Sequence, residues 1–154
     1  MPDLIGSSVN SSLSSTATPL VSVVLPAWNA AHTLGAALQS LLDQQPSPRG
    51  PVPEFEVVVV DDGSTDDTRQ MLEHWRSVHL FGNRLRPLYL PHGGIVAALN
   101  AGLTTARGAL VARMDADDTA HPHRLASQTA HLYGKDYIDL SATCVAFGGD
   151  RELA

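Results

Sequence analysis

Three carboxylates stand together at the end of Ala109-Leu110-Val111-Ala112-Arg113-Met114-Asp115-Ala116-Asp117-Asp118. The apolar start of this stretch reads as a short strand, and a strand ends where the sequence turns polar. The acids therefore fall at a strand's carboxyl end, the place where open α/β sheets bind ligands. Near neutral pH all three are ionised and repel one another. Gathering them is costly unless a cation or a ligand's hydroxyl groups share the site. A second acidic run, Asp61-Asp62-Gly63-Ser64-Thr65-Asp66-Asp67-Thr68, follows the valine-rich Phe55 to Val60. Gly63 permits a tight turn, and Ser64, Thr65 and Asp66 can cap the helix that follows. Asp61 and Asp62 precede the turn, where a carboxylate accepts hydrogen bonds from a base N–H or a ribose hydroxyl. A third feature, Pro26-Ala27-Trp28-Asn29, reads as a bend between strand and helix with Asn29 as the cap.

Competing readings of these residues differ in what else they require. A calcium loop of the helix–loop–helix kind needs a glycine and a closing glutamate where Ala120 and Ala126 stand. Asp115-Ala116-Asp117-Asp118-Thr119 matches the D-x-D-x-T signature of haloacid dehalogenase-type phosphatases, with Asp115 as nucleophile and Asp117 as acid/base. That chemistry needs further Ser/Thr, Lys and acidic groups, which Ala120 to Ala154 is too short to supply. A solvated acidic turn is the plainer reading, more usual for one or two acids than for three. Gly93-Gly94 with Gly102 does not fit G-x-G-x-x-G, and the chain has neither a P-loop lysine nor a G-x-S-x-G elbow. His121 and His123 flank Pro122 and read as a helix start. His32, His74, His79 and His131 have no partner that spacing reveals.

The elements that must position these groups are legible in turn. Leu20 to Leu25 reads as a buried parallel strand ended by Pro26. Leu34, Leu38, Leu41 and Leu42 mark one face of a helix, and Gln44 to Pro53 is a loop. Phe55 to Val60 is a second buried strand, and Met71, Leu72 and Trp75 line the next helix. Leu85 to Leu90 is a weaker strand. Gly93-Gly94 opens a helix carrying Ile95, Val96, Leu99 and Leu103, closed by Gly108. The acidic strand follows, then a helix from Pro122 and a last strand over Ile138 to Phe147. Strands alternating with helices predict a mainly parallel sheet covered on both faces. Both acidic runs then reach one edge of it.

Composition narrows the function. A chain of 154 residues makes one domain. Its 44% apolar and 17% charged residues belong to a globular protein rather than a disordered one. A net charge of −6 argues against nucleic acid as a partner. Cys144 is alone, which excludes disulfides within the chain and cysteine zinc sites and suits a small buried thiol. There is no apolar run of membrane-spanning length, and Met1 to Pro19, rich in Ser and Thr, reads as a disordered lead-in rather than a signal peptide. The expected location is the cytoplasm, with peripheral association at the inner face of the membrane left open.

Four segments together resemble the family-2 inverting glycosyltransferases of the GT-A fold, over Val21 to about Phe147. In order they are Val23 to Asn29, Val59 to Thr68, Gly93 to Leu103 and Arg107 to Asp118. The resemblance implies a three-layer α/β/α sandwich with a mainly parallel sheet. Residues 20–154 would form the donor-binding domain, incomplete on its acceptor side. It implies a nucleotide-diphosphate sugar as donor, most often a UDP-sugar, a saccharide or other hydroxyl acceptor, and a divalent cation, Mn²⁺ or Mg²⁺. By position, Pro26 and Asn29 line the base pocket and Asp62 reads the base, with Ala27, Trp28 and Asp61 beside them among the nucleotide-sugar-binding residues. Gly94 and Asn100 add donor contacts. Asp115 and Ala116 lie in the D-x-D segment, and Asp117, Asp118 and Asp115 are the metal candidates. Trp28 stands where the family usually has Tyr or Phe, and Leu99 where many members have Arg or Lys. The catalytic base of an inverting transferase comes later in the family, in the acceptor half, so this chain is expected to bind a donor with little or no turnover. A non-catalytic nucleotide-binding remnant is the alternative.

Overall fold

The computed structural model describes residues 18–78, 81–132 and 140–141. Their strands form one four-stranded, all-parallel sheet in the order β3-β2-β1-β4. β1 (Val21–Ala27) and β2 (Phe55–Asp62) occupy the centre and are buried along their whole length. Their β-branched residues suit strands covered on both faces. β3 (Leu85–Leu90) flanks β2, and β4 (Leu110–Arg113) flanks β1.

Alternation along each strand divides the core. Val23, Leu25, Val57 and Val59 point to one face and pack with α1 (Leu34–Leu42), Leu72 of α2 (Thr68–Ser77) and Leu125 of α4 (Arg124–Leu132). Val58 and Val60 point to the other and meet Ala98 of α3 (Ile95–Thr105). This is the expected sandwich of helices around a parallel sheet. Because the strands are parallel, the β1, β2, β3 and β4 carboxyl ends and their loops share one rim.

Several sequence expectations change. β1 does not stop at Pro26 but runs through Ala27. Met114 N–H donates to the Val24 carbonyl, so the even-numbered residues of β1 face β4. β4 has already ended at Arg113 when Pro26 is reached, and the missing proline N–H costs no ladder bond. Asn29 does not cap α1. Thr33 stands at that cap, and Asn29 sits at φ 48°, a left-handed conformation that asparagine tolerates better than most residues. β2 extends to Asp62, which places Asp61 and Asp62 inside the strand's last turn of pleat. α3 ends at Thr105, with Ala106 rather than Gly108 at its close. Gly108 serves a different contact, since a Cβ there would lie 2.6 Å from the Ser22 backbone nitrogen. The strand expected over Ile138 to Phe147, apart from Leu140 and Ser141, and the burial of Cys144 lie outside the described residues, as do residues 1–17 of the lead-in.

Candidate functional site

The loop after β1 is stitched to the loop after β2. Asn29 N–H donates to Ser64 Oγ (2.9 Å), and Asn29 Oδ1 accepts Thr65 N–H (2.8 Å). Ala30 N–H donates to Thr68 Oγ1 (2.8 Å) and Ala31 N–H to Asp66 Oδ2 (3.1 Å). The Thr68 hydroxyl, then the backbone amides of Ala31 and Thr68, hold Asp66 below the ordinary carboxylate range. Asp66 and Asn29 thus brace the rim.

Asp61 and Asp62 divide their work. Asp61 Oδ1 accepts Ser64 N–H (3.0 Å) and closes the turn at Gly63, whose φ of 69° and close approach to the His92 backbone suit glycine alone. Asp62 turns toward α3. Its Oδ1 accepts Gly93 N–H and its Oδ2 accepts Gly94 N–H, both at 2.8 Å. A carboxylate thereby satisfies amides at the helix's positive end. His92 Nδ1 lies 3.0 Å from Asp62 Oδ2 and 3.0 Å from the Asp62 carbonyl oxygen. Its ring stacks on Trp28 with centroids 4.8 Å apart and planes 26° from parallel.

These groups frame a cavity of about 230 Å³, walled by Pro26, Ala27 and Trp28 from β1 and by Asp62, His92 and the start of α3. A second cavity of about 380 Å³ adjoins it. The two share Pro26, Trp28 and Ile95, and the second also takes in Asn29, Asp115, Ala116 and Asp117. The strand ends of β2 and β4 therefore open into one cleft across β1, as their acidic sequences predict.

At the β4 end, Asp115 is half exposed and its two oxygens receive Arg113 Nη2 at 2.9 and 3.0 Å. Asp117 and Asp118 are exposed. Asp118 N–H donates to the Asp115 carbonyl, and Asp118 does not line the cleft. Burial pulls the Arg124 guanidinium below its usual range, opposed by Asp118. Among the described residues no three His, Cys, Asp or Glu side chains converge. The carboxylates lining the cleft are that of Asp117, which is exposed, and that of Asp115, which Arg113 holds. Such hard ligands suit Mg²⁺ or Mn²⁺ shared between one or two carboxylates and a substrate's phosphates.

The cleft thus gathers Pro26, Ala27, Trp28, Asn29, Asp62 and Gly94 with Asp115, Ala116 and Asp117. It leaves out Asp61, Asp118 and Asn100, the last exposed on α3. Sequence reasoning passed over His92, Ile95 and Thr33. The signal for His92 was its position two residues past β3, on the rim where parallel strands present ligands.

At the opposite rim, Glu56 is 1% exposed. It accepts hydrogen bonds from Ser22 Oγ (2.7 Å), Arg107 N (2.8 Å), Arg107 Nη2 (2.7 Å) and Arg86 Nη1 (3.0 Å). Burial alone raises its pKa, and these bonds reverse that and bring it from 4.5 to about 2.

The comparisons with known proteins agree in kind. The sequence profile described as Glycosyl transferase family 2 matches residues 22–153. A chondroitin synthase of Pasteurella multocida is 36% identical over 130 residues, covering 82% of this chain and 12% of the synthase. The crystal structure of S. aureus TarS residues 1–349 with UDP superposes with a TM-score of 0.61 at 32% identity, over 73% of this chain and 31% of that one. The mannosyltransferase PcManGT of Pyrobaculum calidifontis, in complex with GDP-Man and Mn²⁺, gives 0.66 at 31% identity, over 77% and 33%. The chain thus spans a minor part of each of these relatives.

Proposed function

The chain belongs to glycosyl transferase family 2, with a partial domain of the GT-A fold, and from that premise we propose that it is the donor-binding part of an inverting, cation-assisted transferase. The donor is a nucleotide-diphosphate sugar, a UDP-sugar first among them, and the acceptor is a saccharide or other hydroxyl compound. One observation carries this reading: the cleft at the strand carboxyl ends joins an aromatic-walled cavity at β1 and β2 to open carboxylates at β4.

The parts divide the ligand between them. Trp28 offers the base an exposed aromatic face, and Pro26 and Ala27 form the cavity floor. The diphosphate extends past Asn29 toward Asp115 and Asp117. Asp117, with Asp115 freed from Arg113, would hold the divalent cation. A cation there neutralises the charge that grows on a departing nucleotide diphosphate. The TarS and PcManGT complexes, with UDP and with GDP-Man and Mn²⁺, support both halves of the assignment. The same family membership favours transfer over the phosphatase chemistry that the D-x-D-x-T pattern shares.

Calorimetry with UDP tests the proposal. Binding heat that requires Mn²⁺ or Mg²⁺ and disappears in Asp117→Ala is the expected result. Absent or cation-independent binding across UDP, GDP and dTDP would overturn it.

A further inference from the structure

Resting on the donor-binding reading, we infer that His92, oriented by Asp62, is the group that reads the ring nitrogen of the nucleobase. Asp62 itself is nearly spent on the protein. It is 4% exposed, with the two glycine amides and the His92 ring already on its carboxylate. His92 is placed differently. Its side chain is 54% exposed, lines the cavity and lies against Trp28.

The chemistry follows from the Nδ1 contacts. The Asp62 carboxylate oxygen and the Asp62 carbonyl oxygen, each 3.0 Å away, are both acceptors. Nδ1 must therefore carry the hydrogen, which fixes the tautomer and leaves Nε2 with a lone pair in the neutral ring. Nε2 has no protein partner among the described residues. A neutral His92 then accepts a hydrogen bond from a base with a ring N–H, as uracil, thymine and guanine have. Cytosine and adenine present a ring acceptor there and are disfavoured.

Of the groups lining the cavity with His92, Asp62 from β2 alone is charged. Trp28 from the β1 side, and Gly94, Ile95 and Ala98 from α3, bring no titratable group.

The test compares UDP with CDP in the presence of Mn²⁺, by calorimetry at pH 8, on the full chain. UDP should be preferred by roughly three- to tenfold, the worth of one hydrogen bond. In His92→Phe, which keeps a ring against Trp28, the ratio should sit near one. His92→Gln, whose amide can either accept or donate, should also lose the discrimination. A preference for UDP that survives in His92→Phe means that Asp62 reads the base directly, and overturns this assignment alone. Failure of both nucleotides to bind overturns the donor-binding reading and this assignment with it.

Discussion

Glu56 is a carboxylate with almost no water around it, held by two guanidiniums, a hydroxyl and an amide. Its folded pKa of about 2 lies below the ordinary 4.5. The stabilisation is therefore fully present above pH 4.5 and is lost as pH falls from there toward 2. The shift corresponds to about 3 kcal/mol of native-state stability near neutral pH. Glu56→Gln leaves Arg86 and Arg107 facing a neutral amide. It should cost about 3 kcal/mol at pH 7 and flatten the acid limb of the stability curve, as urea melts at pH 7 and pH 3 would show. If the variant keeps the wild-type acid limb, Glu56 is not the group that titrates. None of this was legible in the sequence. Glu56 sits inside the valine run of β2 and reads as part of an apolar strand, while its partners come from β1, β3 and the loop after α3. The same distance in sequence hid the pairing of Asp62 with Gly93 and Gly94, and Asn29 showed its capping chemistry without showing which loop it would brace.

The elements were easier to read than their contacts. β1 and β2 were plain because a parallel strand buried on both faces must be apolar at nearly every position. α3 was recognised by Ile95, Val96, Leu99 and Leu103, yet the residues it buries are Ala98 and Gly102, and Ile95, Val96 and Leu103 are exposed. The reason is proximity. α3 lies so close to β1 and β2 that a Cβ at Gly102 would stand 2.4 Å from Val24 Cγ1 and 3.2 Å from Val60 Cγ2. Large side chains advertise a helix, but small ones decide how near it packs. An alanine in an exposed helix normally gains about 1 kcal/mol over glycine. At Gly102 the sign should invert, because Val24 is stiff at χ1 and belongs to a central strand. Gly102→Ala is expected to destabilise by about 1–2 kcal/mol, and Leu103→Ala by less than about 0.5 kcal/mol. Since α3 carries Gly94 and Ile95 into the cleft, Gly102→Ala should also weaken UDP binding where Leu103→Ala does not. Denaturant melts with calorimetry on the two variants would decide it. Equal stability of both would mean that α3 tolerates a wider spacing from the sheet.

At the scale of the whole molecule, the cleft is assembled from the ends of separate strands, and nothing within one loop suffices to build it. Pro26 lies in the last turn of β1 and Trp28 just past it, Asp62 ends β2, His92 follows β3, and Asp115 and Asp117 follow β4. That convergence was legible because parallel topology sends every strand's carboxyl end to one rim. A ligand that spans these ends binds the folded arrangement and not the unfolded chain, so it must raise stability by mass action. UDP with Mn²⁺ at 100 times its dissociation constant should add about 2.7 kcal/mol, which for a chain of this length is a melting shift of several degrees, about 5–10 °C. The same cation without nucleotide should give much less, because Asp115 and Asp117 supply only part of a coordination shell. Chemistry is a separate matter. The cleft's carboxylates are all engaged by this reading, Asp62 with the α3 amides and His92, and Asp115 and Asp117 with the donor side. Deprotonating an acceptor hydroxyl needs a further base. The expectation is a chain that gains several degrees of melting temperature with UDP and Mn²⁺, yet releases no UDP from UDP-sugars beyond the rate in buffer. A coupled assay for UDP release alongside the melts separates the two properties. Steady release that depends on Asp117 would mean that the chain supplies its own base, and a melt unmoved by nucleotide and cation would remove the ligand from the cleft altogether.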